Sequence, residues 1–314
     1  MQRRLFILAF FVVLAGCRSG HDQPVVSTLK TDTGFHFFVL GDWGRRGKIS
    51  QWAVANQMLD RARQHPPAFI ITTGDNFYQQ GVRSVSDPHW KESFTDVYKE
   101  LTRTVDWYPV LGNHDYQGCG APHAQIEYRQ VNPRWHMQNF YYTLVASLPD
   151  NKKVRFVFID TSPFSTHYYT TRRYPYLTKQ DTVQQKRWID SILANTREEW
   201  KIVVGHHTVY SGGHEHGNTA ELMALLIPMF QKYKVQAYLC GHDHNLQHLR
   251  PEGSYTDYIV SGAGSDLYSV GSLPESKFGR AVPGFADITF RNDSMYLQFI
   301  DKDGHLIYSY ARSR

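Results

Sequence analysis

The chain has 314 residues, 41% of them hydrophobic and 14% aromatic, with a formal net charge of +5. That apolar content is ample for a packed core and excludes a disordered chain; the basic residues form no long block, so no nucleic-acid partner is expected. The unusual figure is 16 histidines, because imidazole is the commonest metal ligand and titrates near neutrality.

The first segment, "MQRRLFILAFFVVLAGC", reads as a basic start at Arg3 and Arg4, an apolar run from Leu5 to Leu14 and small residues before Cys17. The run is shorter than the roughly 20 residues a spanning helix needs. "LAGC" resembles the lipobox of bacterial lipoproteins. It implies a signal peptide over 1–16, a lipidated Cys17 and membrane attachment without a span. The expectation is an exported protein of the bacterial cell envelope, in the periplasm or at the cell surface. Residues 17–34 are polar and lack periodicity, which predicts a flexible tether, and 35–314 is expected to be a single domain. Cys119 and Cys240 then remain for at most one disulfide, so a disulfide framework is not what stabilises the fold.

Five apolar, β-rich runs follow, each ending in a Gly-containing turn loaded with metal-capable groups: "FHFFVLGDWG", "AFIITTGDNFY", "WYPVLGNHDY", "KIVVGHHTVYSGGHEHG" and "VQAYLCGHDHN". Segments with helical periodicity lie between them, at Ile49 to Arg63, Asp87 to Leu101, Thr182 to Leu193 and Thr219 to Tyr233. Strands alternating with helices predict an α/β fold with a mainly parallel sheet, whose ligands gather at the carboxyl ends of the strands. The five turns are thus candidates for one site. From Thr161 to Lys179 the chain is aromatic, basic and aperiodic, and reads as a surface loop of the kind that often forms a lid. Its Arg172 and Arg173 read as a solvated face. After Pro251 come short strands without helices, "SYTDYIVSGAG", "GFADITFRNDSMYLQFID" and "HLIYSYARS", expected as the antiparallel end of a second sheet packed on the first, with a hairpin turn at "RND".

A single "GD" after a strand is an everyday turn. Five blocks in the order GDxG, GDN, GNHD, GHH and GHDH resemble the calcineurin-like metallophosphoesterase superfamily, and "GDNFY", "EHG" and "GHDHNLQ" narrow the resemblance to purple acid phosphatases of the small tartrate-resistant type. The resemblance spans His36 to Tyr310. It implies two mixed sheets packed face to face with helices outside, and a dinuclear metal centre. Asp42, Asp75, Tyr78 and His244 would hold one ion; Asp75, Asn113, His206 and His242 would hold the other, with Asp75 as the bridge. Two carboxylates and a phenolate beside one imidazole form a hard, anionic set that suits Fe(III). The amide and two imidazoles of the second set suit a divalent Fe, Zn or Mn.

The resemblance further implies direct hydrolysis of a phosphorylated small molecule or phosphoprotein by a metal-bound hydroxide, without a phospho-enzyme. His114 would face the substrate as an acid, Asp115 would orient and charge its ring, and His216 is a second acid candidate. His207, His214 and His248 are expected as exposed or supporting imidazoles. The leading expectation is an acid phosphatase acting on monoesters. A phosphodiesterase or nucleotide pyrophosphatase of the same fold is the alternative, and a degenerate scaffold is disfavoured because no ligand is missing.

Overall fold

The computed structural model describes residues 25–26 and 34–314, Cys119 excepted. The expected signal peptide, Cys17 and most of the tether lie outside the described residues. Among the described residues fourteen strands form two sheets. In chain order they are β1 (Val25–Val26), β2 (Phe35–Leu40), β3 (Phe69–Thr72), β4 (Asp106–Pro109), β5 (Tyr142–Ser147), β6 (Lys153–Phe158), β7 (Trp200–Val204), β8 (Ala237–Cys240), β9 (Leu246–Leu249), β10 (Asp257–Ser261), β11 (Ser276–Arg280), β12 (Gly284–Arg291), β13 (Ser294–Asp301) and β14 (Leu306–Ser313).

One sheet has the order β1-β5-β6-β7-β8-β10-β9-β11 and the other β14-β13-β12-β2-β3-β4. The architecture is the expected α/β sandwich of two mixed sheets with helices. Strands β2, β3 and β4 run parallel as neighbours, as do β6, β7 and β8. All six residues of β2 and all four of β3 are buried, which is the continuous apolar pattern of strands covered on both faces. The sheets meet through aromatic rings: Phe37 of β2 packs 5.1 Å from Phe156 of β6, and Trp200 of β7 lies 5.0 Å from Phe290 of β12.

Three helices form close to their expected places, at Gln51–Gln64, Thr182–Asn195 and Ala220–Tyr233. The fourth does not form as one element. Pro88–Trp90, capped by the Asp87 side chain, leads into a wider turn at Lys91–Thr95, and helix resumes only at Leu101–Thr104. Buried Trp90, Phe94 and Tyr98 recur every four residues, a spacing longer than the α period, and widening the turn keeps all three facing the core.

The C-terminal strands divide differently from expectation. Only β12, β13 and β14 form the antiparallel flank joined to β2, whereas β10 lies parallel to β8 in the other sheet. The "RND" hairpin is present, with Asn292 and Asp293 both at positive φ (50° and 58°) between paired Arg291 and Ser294. Two residues of the expected tether, Val25 and Val26, pair in parallel with Val145 and Ala146. Cys240 is a buried free thiol. Among the described residues no helix is long and apolar enough to cross a membrane.

Candidate metal centre

The turns that carry the candidate ligands follow two groups of parallel neighbours: Asp42 after β2, Asp75 after β3 and Asn113 after β4 in one sheet, His206 after β7 and His242 after β8 in the other. Because the two sheets pack face to face, their carboxyl ends share one edge, and the five turns converge there. Asp42, Asp75 and His242 sit in the left-handed region at φ of 59°, 49° and 70°. Such a conformation costs a non-glycine residue roughly 1–2 kcal/mol, so the surrounding loops hold these three side chains in place against a local preference.

Two groups of donor atoms result. Around the Tyr78 hydroxyl, Asp42 Oδ1, Asp75 Oδ2 and His244 Nε2 each lie at 2.9 Å. In the second group His206 Nε2 is 3.2 Å from Asn113 Oδ1, 3.2 Å from His242 Nδ1 and 3.5 Å from Asp75 Oδ2. The same oxygen of Asp75 therefore faces both groups. Its other oxygen accepts the His114 amide at 2.8 Å, which fixes the carboxylate plane. Gly112 passes so close that a Cβ there would collide with Asp75 Oδ1. All seven of these side chains are buried.

The chemistry of the first group fits a cation. One phenol proton and one imidazole proton can satisfy at most two of the three contacts around Tyr78 Oη, so an oxygen–oxygen approach is left with no proton between its partners. Protons alone leave the group over-supplied with lone pairs, and a metal ion removes the conflict. Burial and the Asp42 and Asp75 charges push the Tyr78 phenol well above its ordinary pKa, so it ionises only when a strong positive charge replaces its proton. Asp75 is held far below the usual carboxylate range: burial opposes its charge, but the His206 and His114 imidazoles and the His114 amide outweigh it. Burial opposes a charge on His206, which Asp75 pushes up to about 9. Burial and the neighbouring His207, His216, His206 and His244 hold His242 well below the ordinary range, so it is neutral, the form in which imidazole can bind a metal.

Both acid candidates reach the rim. The His114 ring lies 4.5 Å from that of Tyr78, and the His216 ring stacks on His242 at 3.9 Å. The two thus flank the two donor groups. His114 Nδ1 is 2.6 Å from the Gln79 carbonyl, which can only accept, so Nδ1 carries a hydrogen and Nε2 is the free atom.

Asp115 requires a correction. Its carboxylate does not engage the His114 ring; it accepts from the amides of Asn76, Phe77 and Gly112 and from Gln125 Nε2 at 2.8–3.2 Å. Burial and the Asp75 charge work to raise its pKa, while those donors favour the carboxylate. Asp115 ties the Asp75 loop to the Asn113 loop. Gln79, which no sequence motif singles out, orients His114 instead.

The structure adds other supporting residues. Asn76 joins three ligand turns, accepting from Trp43 Nε1 and Thr72 Oγ1 and donating to the Val110 carbonyl. Asp243, between the ligands of "GHDH", accepts the amides of His216 and Gly217 and so positions the His216 turn. His207 is buried with Thr161 Oγ1 at 2.8 Å and Tyr168 Oη at 2.7 Å, supporting the layer around His206. The segment expected as a lid is therefore pinned through Tyr168. His214 is exposed beside Ser269, and His248 lies in a separate buried network with Asp257 and Tyr308.

Comparison with known proteins agrees with this geometry. The family described as calcineurin-like phosphoesterase matches residues 35–246. Purple acid phosphatase 17 of Arabidopsis thaliana is 33% identical, over 98% of this chain and 93% of its own. Tartrate-resistant acid phosphatase type 5 of Oryctolagus cuniculus is 35% identical over 79% of this chain and 76% of its own. Among solved structures, GAP50, the anchor in the inner membrane complex of Plasmodium, superposes with a TM-score of 0.76 at 26% identity, covering 90% of this chain and 89% of that one.

Proposed function

The chain belongs to the calcineurin-like phosphoesterases and, among them, to the purple acid phosphatases; it is a metal-dependent phosphoesterase hydrolase, and we propose that it is an exported acid phosphatase acting on phosphate monoesters through an Fe(III)–M(II) centre. The observation that carries this reading is the Tyr78 oxygen, 2.9 Å from two carboxylates and an imidazole, beside a second donor group that shares Asp75 Oδ2. Asp42, Asp75, Tyr78 and His244 would hold the ferric ion; Asp75, Asn113, His206 and His242 would hold a divalent Fe, Zn or Mn. When bound, the two ions supply Lewis-acid charge to the phosphoryl oxygens and acidify the attacking water.

The chain's own residues supply orientation and protons. His114, with Nδ1–H committed to the Gln79 carbonyl, holds a proton on Nε2 and delivers it to the leaving alkoxide. His216, set against His242 and held by Asp243, donates to the substrate from the opposite side of the rim. The substrate class is a phosphorylated small molecule or phosphoprotein, and attachment to a membrane runs through a lipidated Cys17.

Two measurements test the reading. Metal analysis of the purified protein should return iron together with a divalent ion. Initial rates should favour p-nitrophenyl phosphate over its bis-ester; a strong preference for the bis-ester would establish the phosphodiesterase alternative. For the anchor, Cys17→Ala should release the protein from membranes, and a variant that stays bound would refute attachment at that residue.

A further inference from the structure

The turn after β2 carries an arginine that the reading above leaves unused. The Arg45 guanidinium carbon lies 3.8 Å from the centroid of the Tyr78 ring. The side chain is only 15% exposed, its Nε has no hydrogen-bond partner among the described residues, and Nη2 lies 3.5 Å from Asp266 Oδ2. A cation in that position is neither spent on a close ion pair nor free in solvent. It is held against an aromatic face, the arrangement in which ring electrons and positive charge attract.

The local sequence places it there. The Gly44 carbonyl accepts the Tyr78 amide at 2.8 Å, and a Cβ on Gly44 would strike the Asn76 carbonyl, so only glycine lets the two turns lie together. The next residue then falls over the Tyr78 ring. Its backbone is fixed as well: buried Gln51 accepts the amides of Arg45 and Gly47 through Oε1, while its Nε2 donates to the Ser93 carbonyl. The position is built before any ligand arrives.

We infer that Arg45 is a positioning residue for the Tyr78 phenolate, a fixed positive charge on the ring that sets how readily the phenolate gives electron density to a ferric ion. The inference rests on the ferric reading of the first donor group. The colour of a ferric phenolate arises when light moves an electron from the ring to the ion. The ring lies directly under the guanidinium, whereas a ferric ion would be held through the phenol oxygen together with Asp42, Asp75 and His244. Arg45 therefore stabilises the donor ring more than the acceptor and raises the transition energy.

The test is the visible spectrum of iron-loaded protein. Arg45→Met keeps the aliphatic contact and removes the charge; its band should move to longer wavelength at unchanged iron content. Arg45→Lys should return the band towards the wild-type position. Asp266→Asn, which unmasks the guanidinium, should move it the opposite way, to shorter wavelength, and supplies the reading if Arg45→Met does not fold. A wild-type band that stays in place in Arg45→Met or Asp266→Asn overturns the inference while leaving the ferric site intact. Equal shifts in the Met and Lys variants overturn it too, because packing rather than charge would then be responsible. A wild-type protein with two divalent ions and no visible band overturns the ferric reading and this inference with it.

Discussion

Asp115→Asn separates two roles for a residue adjacent to a candidate catalytic histidine. In the structure its carboxylate satisfies the buried amides of Asn76, Phe77 and Gly112 and the side-chain amide of Gln125. Asparagine offers one oxygen and turns an NH2 group towards those donors. Whichever way the amide is placed, at least one buried N–H, most directly that of Gly112, loses its acceptor. An unsatisfied buried donor costs about 1–3 kcal/mol, and loss of a charged acceptor adds to this, so a destabilisation of roughly 2–4 kcal/mol is expected. At about 2–4 °C per kcal/mol for a domain approaching this size, the melting temperature should fall by about 4–16 °C. Thermal unfolding by circular dichroism and a pH–rate profile should be measured on the same preparations. The unfolding midpoint should drop and kcat should fall as the Gly112 turn loosens against Asp75, while the shape of the pH profile is kept. An unchanged midpoint with a displaced pH profile would refute the structural assignment and restore Asp115 as the partner of the His114 ring.

Other outcomes follow from the same geometry. Tyr78→Phe should abolish the visible band and weaken iron retention while leaving the far-ultraviolet spectrum intact; a retained band would exclude Tyr78 as a ligand. With His114 Nε2 as the proton donor, His114→Gln should lower kcat most for substrates with poor leaving groups. A uniform loss across leaving groups would count against proton delivery. Asp160 is fully buried, accepts from Tyr116 Oη and Ser162 N, and is pushed up to about 7 by burial. A folded-state pKa above the unfolded one gives a contribution that is whole below the ordinary carboxylate pKa and lost as pH rises to 7. The melting temperature of Asp160→Asn relative to wild type should therefore improve between pH 4 and 7, and a constant difference across that range would contradict the shift.

The strands and ligand turns were legible because each carries its own local signal: an apolar β run, a glycine, then a side chain able to bind metal. The seven ligand candidates, His114 and His216 could be named only because the order of those blocks resembles a known family, whose pattern was carried over residue by residue. The division of strands between sheets could not. β10 and β12 look alike in sequence, and only register across the molecule places one beside β8 and the other beside β2. Asp115 was misjudged for a related reason. Adjacency in "GNHD" suggested a shared task, but the tight turn His114–Tyr116 sends successive side chains apart, one to the rim and one into the loop junction. Gln79, Thr161 and Tyr168 escaped notice because they act from distant turns through single hydrogen bonds. The broken helix after Asp87 shows core packing overriding an otherwise regular local pattern.

The shared carboxylate of Asp75 has a consequence for assembly of the centre. One oxygen belongs to both donor groups and the other is fastened to the His114 amide, so the group cannot turn to serve one ion at the expense of the other. Were two ions held here, the first to bind would engage an oxygen that the second must share in the position where the His114 amide holds it. Loading of the proposed centre would then be a matter of sequence as well as affinity: the same two metals offered in opposite orders would leave the protein in differently filled states, and occupancy of one position would slow exchange at the other.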